Sequence, residues 1–371
     1  MNARIVGWKL LCAVLAPTRT PESIRSLLPP GSDSERVWEC AARWADLHLV
    51  TPAMWLWLLE KGLESSVPRE PRRYLSSLYR LNRERNVRIL RQLDTVLQVL
   101  NSRNIRPLLL KGASHIKSGV YADPGARILS DLDILVDDTD VRCAFEALEQ
   151  SGYSAVDEWT NDRHCPPLRR PGEAAAIEIH WRHFRGKGDR MLPAPTLLDN
   201  SSVVQQRGVS FRLSPPTDIV LASFINSQIL DGLGERYIIG LRPIQDLLAI
   251  RAAYGPNVDW KRILNVTRSH GAERKLHAYL YDALRVAGLE TPSGIPIGVR
   301  ARIHHRIALS RVRWKTFERL LRRLEGLSRV HLERQYGPAM GRVDVHRQRM
   351  RHAARAVHRR VTVLRNAARS S

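Results

Sequence analysis

Residues 128–136 read Ile-Leu-Ser-Asp-Leu-Asp-Ile-Leu-Val, and this run restricts the fold more than any other in the chain. Side chains alternate across a strand, so Asp131 and Asp133 project from one face while Leu132 and Ile134 project from the other. Two carboxylates held side by side on a rigid strand repel each other. A divalent cation between them turns that cost into a gain, and ligand sets made of oxygen select Mg²⁺ or Mn²⁺.

The residues around this strand extend the pattern. The short apolar run at 105–110 predicts a buried strand ending in a turn at Lys111-Gly112. Residues 175–181 alternate as Ala-Ala-Ile-Glu-Ile-His-Trp, which puts Glu178 and His180 on one face, away from Ile177 and Ile179. If that strand lies beside the Asp131/Asp133 strand, the three carboxylates complete a two-metal phosphoryl-transfer centre. A fourth strand is expected at 209–213. Helical periodicity fills the rest: an amphipathic first helix near 10–15, helices at 38–49 and 54–63, a long helix at 74–100 and one at 140–151. After Pro215-Pro216 it returns at 217–230, from Pro243 to Gly255, at 259–269 and at 272–287. The segment His164-Cys165-Pro166-Pro167 reads as loop, and no internal repeat is visible. The expected class is α+β: a helical N-terminal arm (1–100), a small mixed β-sheet core (101–215), a helical domain (216–297) and a basic tail (298–371).

Lys111-Gly112-Ala113-Ser114, the loop Tyr121-Ala122-Asp123-Pro124-Gly125-Ala126-Arg127 and the strand Ser130-Asp131-Leu132-Asp133 together resemble the uncharacterised nucleotidyltransferase family of the DNA polymerase β superfamily. They are similar also to the AbiE-type toxin nucleotidyltransferases. The resemblance covers roughly residues 30–290 and is concentrated in 109–136 and 177–182. It implies Asp131, Asp133 and Glu178 as metal ligands, and transfer of a nucleoside monophosphate (NMP) from an NTP, ATP by default, to an acceptor hydroxyl with release of pyrophosphate. The superfamily's Gly-Gly or Gly-Ser turn stands here as Gly112-Ala113, with Ser114 displaced by one, and the Tyr121–Arg127 loop lengthens the interval to Asp131. Phosphate binding would fall to Lys111, Gly112, Ser114, Arg127 and Ser130, each with an alternative. A glycine turn lets backbone N–H groups approach a phosphate closely. Lys111 is either a phosphate counter-charge or a solvated strand-end lysine. Arg127 either grips the triphosphate or pairs with an aspartate to brace its loop. Ser130 reads as a support for the strand, and His180 as a partner orienting the carboxylates. Arg242 and Asp246, four apart on one helix, fit either an internal salt bridge or a substrate contact.

Net charge is +22, but residues 298–371 hold 20 of the 59 Lys+Arg and only 4 of the 37 acids, so the remaining 297 residues carry just +6. The charge therefore bears on the tail's partner more than on the reaction. A nucleic acid such as tRNA, an acidic protein or peptide, an anionic membrane surface and plain solvation all suit it. Helices are expected there at 299–327 and 343–368. Cys12, Cys40, Cys143 and Cys165 lack any C-x-x-C spacing, which argues against a disulfide framework or zinc site and fits a cytoplasmic protein. No apolar run is long enough to span a bilayer. The acceptor is left open among peptide, protein, tRNA and small molecule, and so are two other functions: a non-catalytic binding scaffold, and γ-phosphoryl transfer of the kinase type.

Overall fold

The computed structural model describes residues 2–31, 33–156, 163–314 and 316. Its longest element is the 33-residue helix Arg69–Asn101. Leu75, Ile89, Leu93, Val96, Leu97 and Leu100 recur on its buried side, while its N-cap, Pro68, makes no side-chain cap bond. Burial of that stripe is therefore what holds the helix. It starts five residues before the expected 74, in a polar first turn that contains Pro71.

Beside it lies a seven-stranded mixed sheet of β1 (Leu108–Leu109), β2 (Asp131–Leu135), β3 (Ser154–Ala155), β4 (Leu168–Arg169), β5 (Ala176–His180), β6 (Ser202–Gln206) and β7 (Val209–Leu213), in the order β3-β4-β5-β2-β1-β7-β6. β2 and β5 run parallel with Asp133 opposite Glu178 and Leu135 opposite His180. Leu132, Ile134, Ile177 and Ile179 pack with Ile89, Leu93, Leu97 and the helix Val141–Gln150 in one apolar cluster. Each such burial is worth about 1.5–3 kcal/mol. A one-residue slip would drive the acids into that cluster, so the same aliphatic side chains that build the core set the register of the acids.

β7 has its expected bounds, and β2 and β5 lie within the expected runs. β3, β4 and β6 carry no comparable signal: two have two residues each, and Ser202–Gln206 is almost wholly exposed. The 164–167 segment is loop as expected, but it lies against β5: His164 makes an isolated bridge to His180, and the Cys165 N–H donates to the Ile179 carbonyl at 2.9 Å.

The N-terminal helices Ala3–Leu15, Asp33–Leu47 and Thr51–Glu60 share one core with Pro216–Phe224, Leu241–Tyr254, Glu273–Ala287 and Val299–Arg313; Leu11, Trp38, Leu58, Phe224, Leu247 and Leu276 all belong to it. Amphipathic helices of this length bury their apolar faces only against one another. Ala3–Leu15 meets Asp33–Leu47 at Gly7, where a Cβ would stand 2.6 Å from the Cys40 Cβ. The expected 217–230 helix is α-helical through Phe224 and becomes a π-helix at Ile225–Leu230. The expected 299–327 helix is described as Val299–Arg313; the rest of it, and the 343–368 helix, lie outside the described residues. Among the described residues no helix is long and apolar enough to cross a membrane. All four cysteines are free thiols.

Candidate active site

β1 stops at Leu109, and the Leu110 N–H still donates to the Asp133 carbonyl at 3.1 Å. Lys111 then takes φ 47° and turns the chain directly into the helix Lys111–Lys117. That left-handed residue brings its ammonium 2.5 Å from Asp133 Oδ1. Gly112 follows because there is no room for a side chain: a Cβ would overlap the Leu129 side chain and the Arg127 guanidinium. Gly112→Ala is expected to lower stability by about 1–3 kcal/mol through overpacking. Urea unfolding measures this, and an unchanged midpoint would contradict the contact.

Asp133 is 2% exposed. Burial alone would raise its pKa, but the His180 hydrogen bond and the Lys111 charge together hold it well below the usual carboxylate range. His180 Nε2 lies 3.0 Å from Asp133 Oδ1 and 3.4 Å from Glu178 Oε2. Its bond to His180 likewise holds Glu178 low, so both carboxylates are ionised at neutral pH. Asp133, Glu178 and His180 each bring a donor atom to within 4.8 Å of the others. Asp131 is not one of that three. It opens β2, half-buried, and accepts from Ser130 Oγ at 2.7 Å. Burial, then the charge of Asp133, pushes its pKa up. Ser130 thus bonds the acid next to it.

The long helix holds the 121–130 loop with a polar row absent from the sequence reading. Asn82 Nδ2 donates to the Gly125 carbonyl at 2.9 Å, Asn86 Nδ2 to the Pro124 and Arg127 carbonyls at 2.6 Å, and Tyr79 Oη to Asp123 at 2.5 Å. Arg85 reaches the Leu129 carbonyl. The signal was available: Tyr79, Asn82 and Asn86 keep helical spacing within a stripe otherwise made of leucines. Arg127 pairs through both nitrogens with Asp246, Nε to Oδ1 at 2.7 Å and Nη2 to Oδ2 at 3.0 Å, and Tyr121 Oη adds 2.7 Å to Oδ1. Asp246 therefore takes the loop, and among the described residues the internal Arg242–Asp246 salt bridge that the spacing allowed does not form.

A cleft of about 1380 Å³ opens above these residues. Lys111, Gly112, Ser114, Arg127, Ser130 and Asp131 line it from the sheet side; Asn226, Arg242, Lys275, Lys187 and Arg190 line it from the helices. Two histidines add to the centre. The His164 and His180 rings lie 5.0 Å apart, edge to face, and His183 stands 6.3 Å from His180. Burial keeps His183 well below the usual imidazole range and therefore neutral. His183 follows His180 by three residues, which was the only sequence trace of this group.

A family model described as uncharacterised nucleotidyltransferase matches residues 34–288. Among solved structures, an antigenic nucleotidyltransferase-like protein from Paracoccidioides brasiliensis is similar at 16% identity and a TM-score of 0.35, over 54% of this chain and 93% of that one. No curated protein matches the chain.

Proposed function

The chain belongs to the uncharacterised nucleotidyltransferase family, and from that premise we propose that it moves an NMP from an NTP to an acceptor hydroxyl with release of pyrophosphate. The observation that supports this reading most is the pair of buried or half-buried strand acids, Asp133 and Glu178, set opposite each other across β2 and β5, with Asp131 of the same strand lining a cleft rich in Lys and Arg. Two ionised carboxylates brought together around His180 suit a divalent cation. Asp131, Asp133 and Glu178 would hold Mg²⁺ or Mn²⁺, and His180 Nε2–H would fix the orientation of the two deeper acids. When bound, the metal supplies charge stabilisation at phosphoryl oxygens and a more acidic attacking hydroxyl. Glu178, ionised and half-buried, would accept the hydroxyl proton. Lys111 keeps Asp133 charged, and its ammonium lines the cleft where a phosphate oxygen would enter. Ser114 would offer a hydroxyl contact to the triphosphate, and Ser130 would do so only by giving up its bond to Asp131.

ATP is the first nucleotide to test. The acceptor class is open among peptide, protein, tRNA and small molecule, with a nucleic-acid acceptor suited to the 298–371 tail and the cytoplasm suited to four free thiols. The test uses NTPs labelled at the α- or the γ-phosphate, incubated with the full chain, Mg²⁺ and cell lysate. Label from the α-phosphate is expected on one acceptor class together with released pyrophosphate. Transfer of γ-label with nucleoside diphosphate as product would replace this reading with a kinase-type one. A second reading, a non-catalytic scaffold, is favoured by one observation: Lys111 and His180 already satisfy Asp133. NTP binding with no transfer of either label would favour that scaffold.

A further inference from the structure

Arg242 lies in the first turn of the helix Leu241–Tyr254 and lines the cleft. The partner its spacing offers is Asp246, but Asp246 gives both carboxylate oxygens to Arg127 and shares one with Tyr121. Arg242 Nη2 donates instead to the Ile128 carbonyl at 3.2 Å, and among the described residues Arg242 has no ion pair. A guanidinium carries five donors and a fixed charge, and one carbonyl satisfies one of those donors. Its burial, and next the nearby Arg127 charge, disfavour the charged form, while Asp246, Tyr121 and Asp131 favour it. Arg127 thus holds the Asp246 carboxylate, and Arg242, near enough to feel both charges, borders the cleft that Asp131 also lines. Arg242 is half-buried, so its charge is partly stripped of water with no carboxylate of its own, and an anion entering the cleft would supply that partner.

We propose that Arg242 binds the polyphosphate of the NTP and places its α-phosphorus at the strand acids. This role rests on the transfer reading above and names the residue that would hold the leaving group. In the step, the acceptor oxygen bonds to the α-phosphorus, and the bond from that phosphorus to the bridging oxygen of the β-phosphate breaks. The electron pair leaves with pyrophosphate, which the Arg242 fork retains through two N–H donors, and the hydroxyl proton passes to the Glu178 carboxylate. Arg242 therefore serves the nucleotide and not the acceptor, which makes its effect separable from that of the tail.

Calorimetric titration of the full chain with inorganic pyrophosphate, and with a non-transferable α,β-methylene NTP in Mg²⁺, tests this role. R242Q, which can still donate to Ile128, is expected to bind both probes about 10- to 100-fold more weakly. R242K is expected to fall between, since it keeps the charge but not the fork. Mn²⁺ binding at the acids should not change in either variant. If Arg242 merely braces Ile128, R242Q loses thermal stability while its pyrophosphate affinity matches wild type, and the role is overturned. Should R242Q not fold, R242K with wild-type pyrophosphate affinity overturns it equally. A wild-type chain that binds pyrophosphate through Arg242 but transfers no NMP removes the transfer reading and leaves the anion site standing. Transfer with unchanged KM for the NTP in R242Q removes the anion site alone, and a wild-type chain that neither binds the probes nor transfers removes both.

Discussion

Asp133→Asn is expected to cut NMP transfer on the order of 10³-fold, several kcal/mol of transition-state stabilisation at about 1.36 kcal/mol per tenfold. The substitution keeps the shape of the side chain. It removes the one carboxylate to which Lys111, His180 and the β5 strand all refer. Asparagine can still accept a hydrogen bond from Lys111 or His180, so the cost in stability should stay near that of one charge-assisted bond, about 1.5–3 kcal/mol. Lys111, partly exposed to the cleft, can turn to solvent rather than remain beside a neutral amide. The informative measurement is therefore the pair of readouts on one variant: label transfer and thermal unfolding. Asp131→Ala added to Asp133→Asn should cost little more activity than Asp133→Asn alone, because groups that hold one cation act as a unit. Transfer within tenfold of wild type in the single variant would sink the metal-centred reading.

How far such a centre is visible in a sequence depends on how local each contact is. Asp133 and Glu178 are each legible as acids on one face of a strand because both runs show apolar–polar alternation, which is written in neighbouring residues; that the two strands adjoin with these acids opposite each other comes from the sheet. The cation on Asp133 was not visible: Lys111 reaches it only through a left-handed residue that ends β1, and nothing in Lys-Gly distinguishes that from an ordinary turn. Gly112 was read as a glycine for phosphate approach, whereas the structure ties it to the packing of Arg127 and Leu129. His164 was hidden for a different reason. A segment with two prolines reads as loop, and the two backbone contacts that draw it to β5 lie in residues with no strand signal. The π-helix at Ile225–Leu230 looks in sequence like the continuation of an α-helix, since its apolar residues keep a similar spacing. Arg127 is the extreme case. Its partner is 119 residues away, so the choice between phosphate and aspartate could be made only with the helices in place.

Arg127→Met is expected to destabilise the chain by about 3–5 kcal/mol, because it leaves the Asp246 carboxylate buried without its guanidinium. Arg127 and Asp246 are 8% and 6% exposed in their side chains, so neither can turn to water. Burial alone would raise the Asp246 pKa, but Arg127 and then His115 hold it well below the usual range. The sign of the pH dependence follows. In the wild type, Asp246 contributes stability that is complete above its unfolded pKa of about 3.9 and is lost as pH falls through the depressed folded value. Burial also keeps His115 below the usual imidazole range, so its contribution declines as pH drops below about 6.5. With Arg127 gone, burial dominates at Asp246 and its folded pKa rises above the unfolded one. The gap between wild type and variant should then be widest near neutral pH and narrow below about pH 4, where Asp246 is protonated. Urea midpoints across that range measure it, and a gap independent of pH would contradict the pair. Adding Asp246→Leu should recover part of the loss, but not all, since Tyr121 Oη then loses its acceptor. The pair ties the Tyr121–Arg127 loop to the helix that carries Arg242, and Asn82 and Asn86 tie the same loop to the long helix. The loop is thus clamped from both sides, and the commitment of Asp246 to Arg127 leaves Arg242 at the cleft with no ion pair among the described residues.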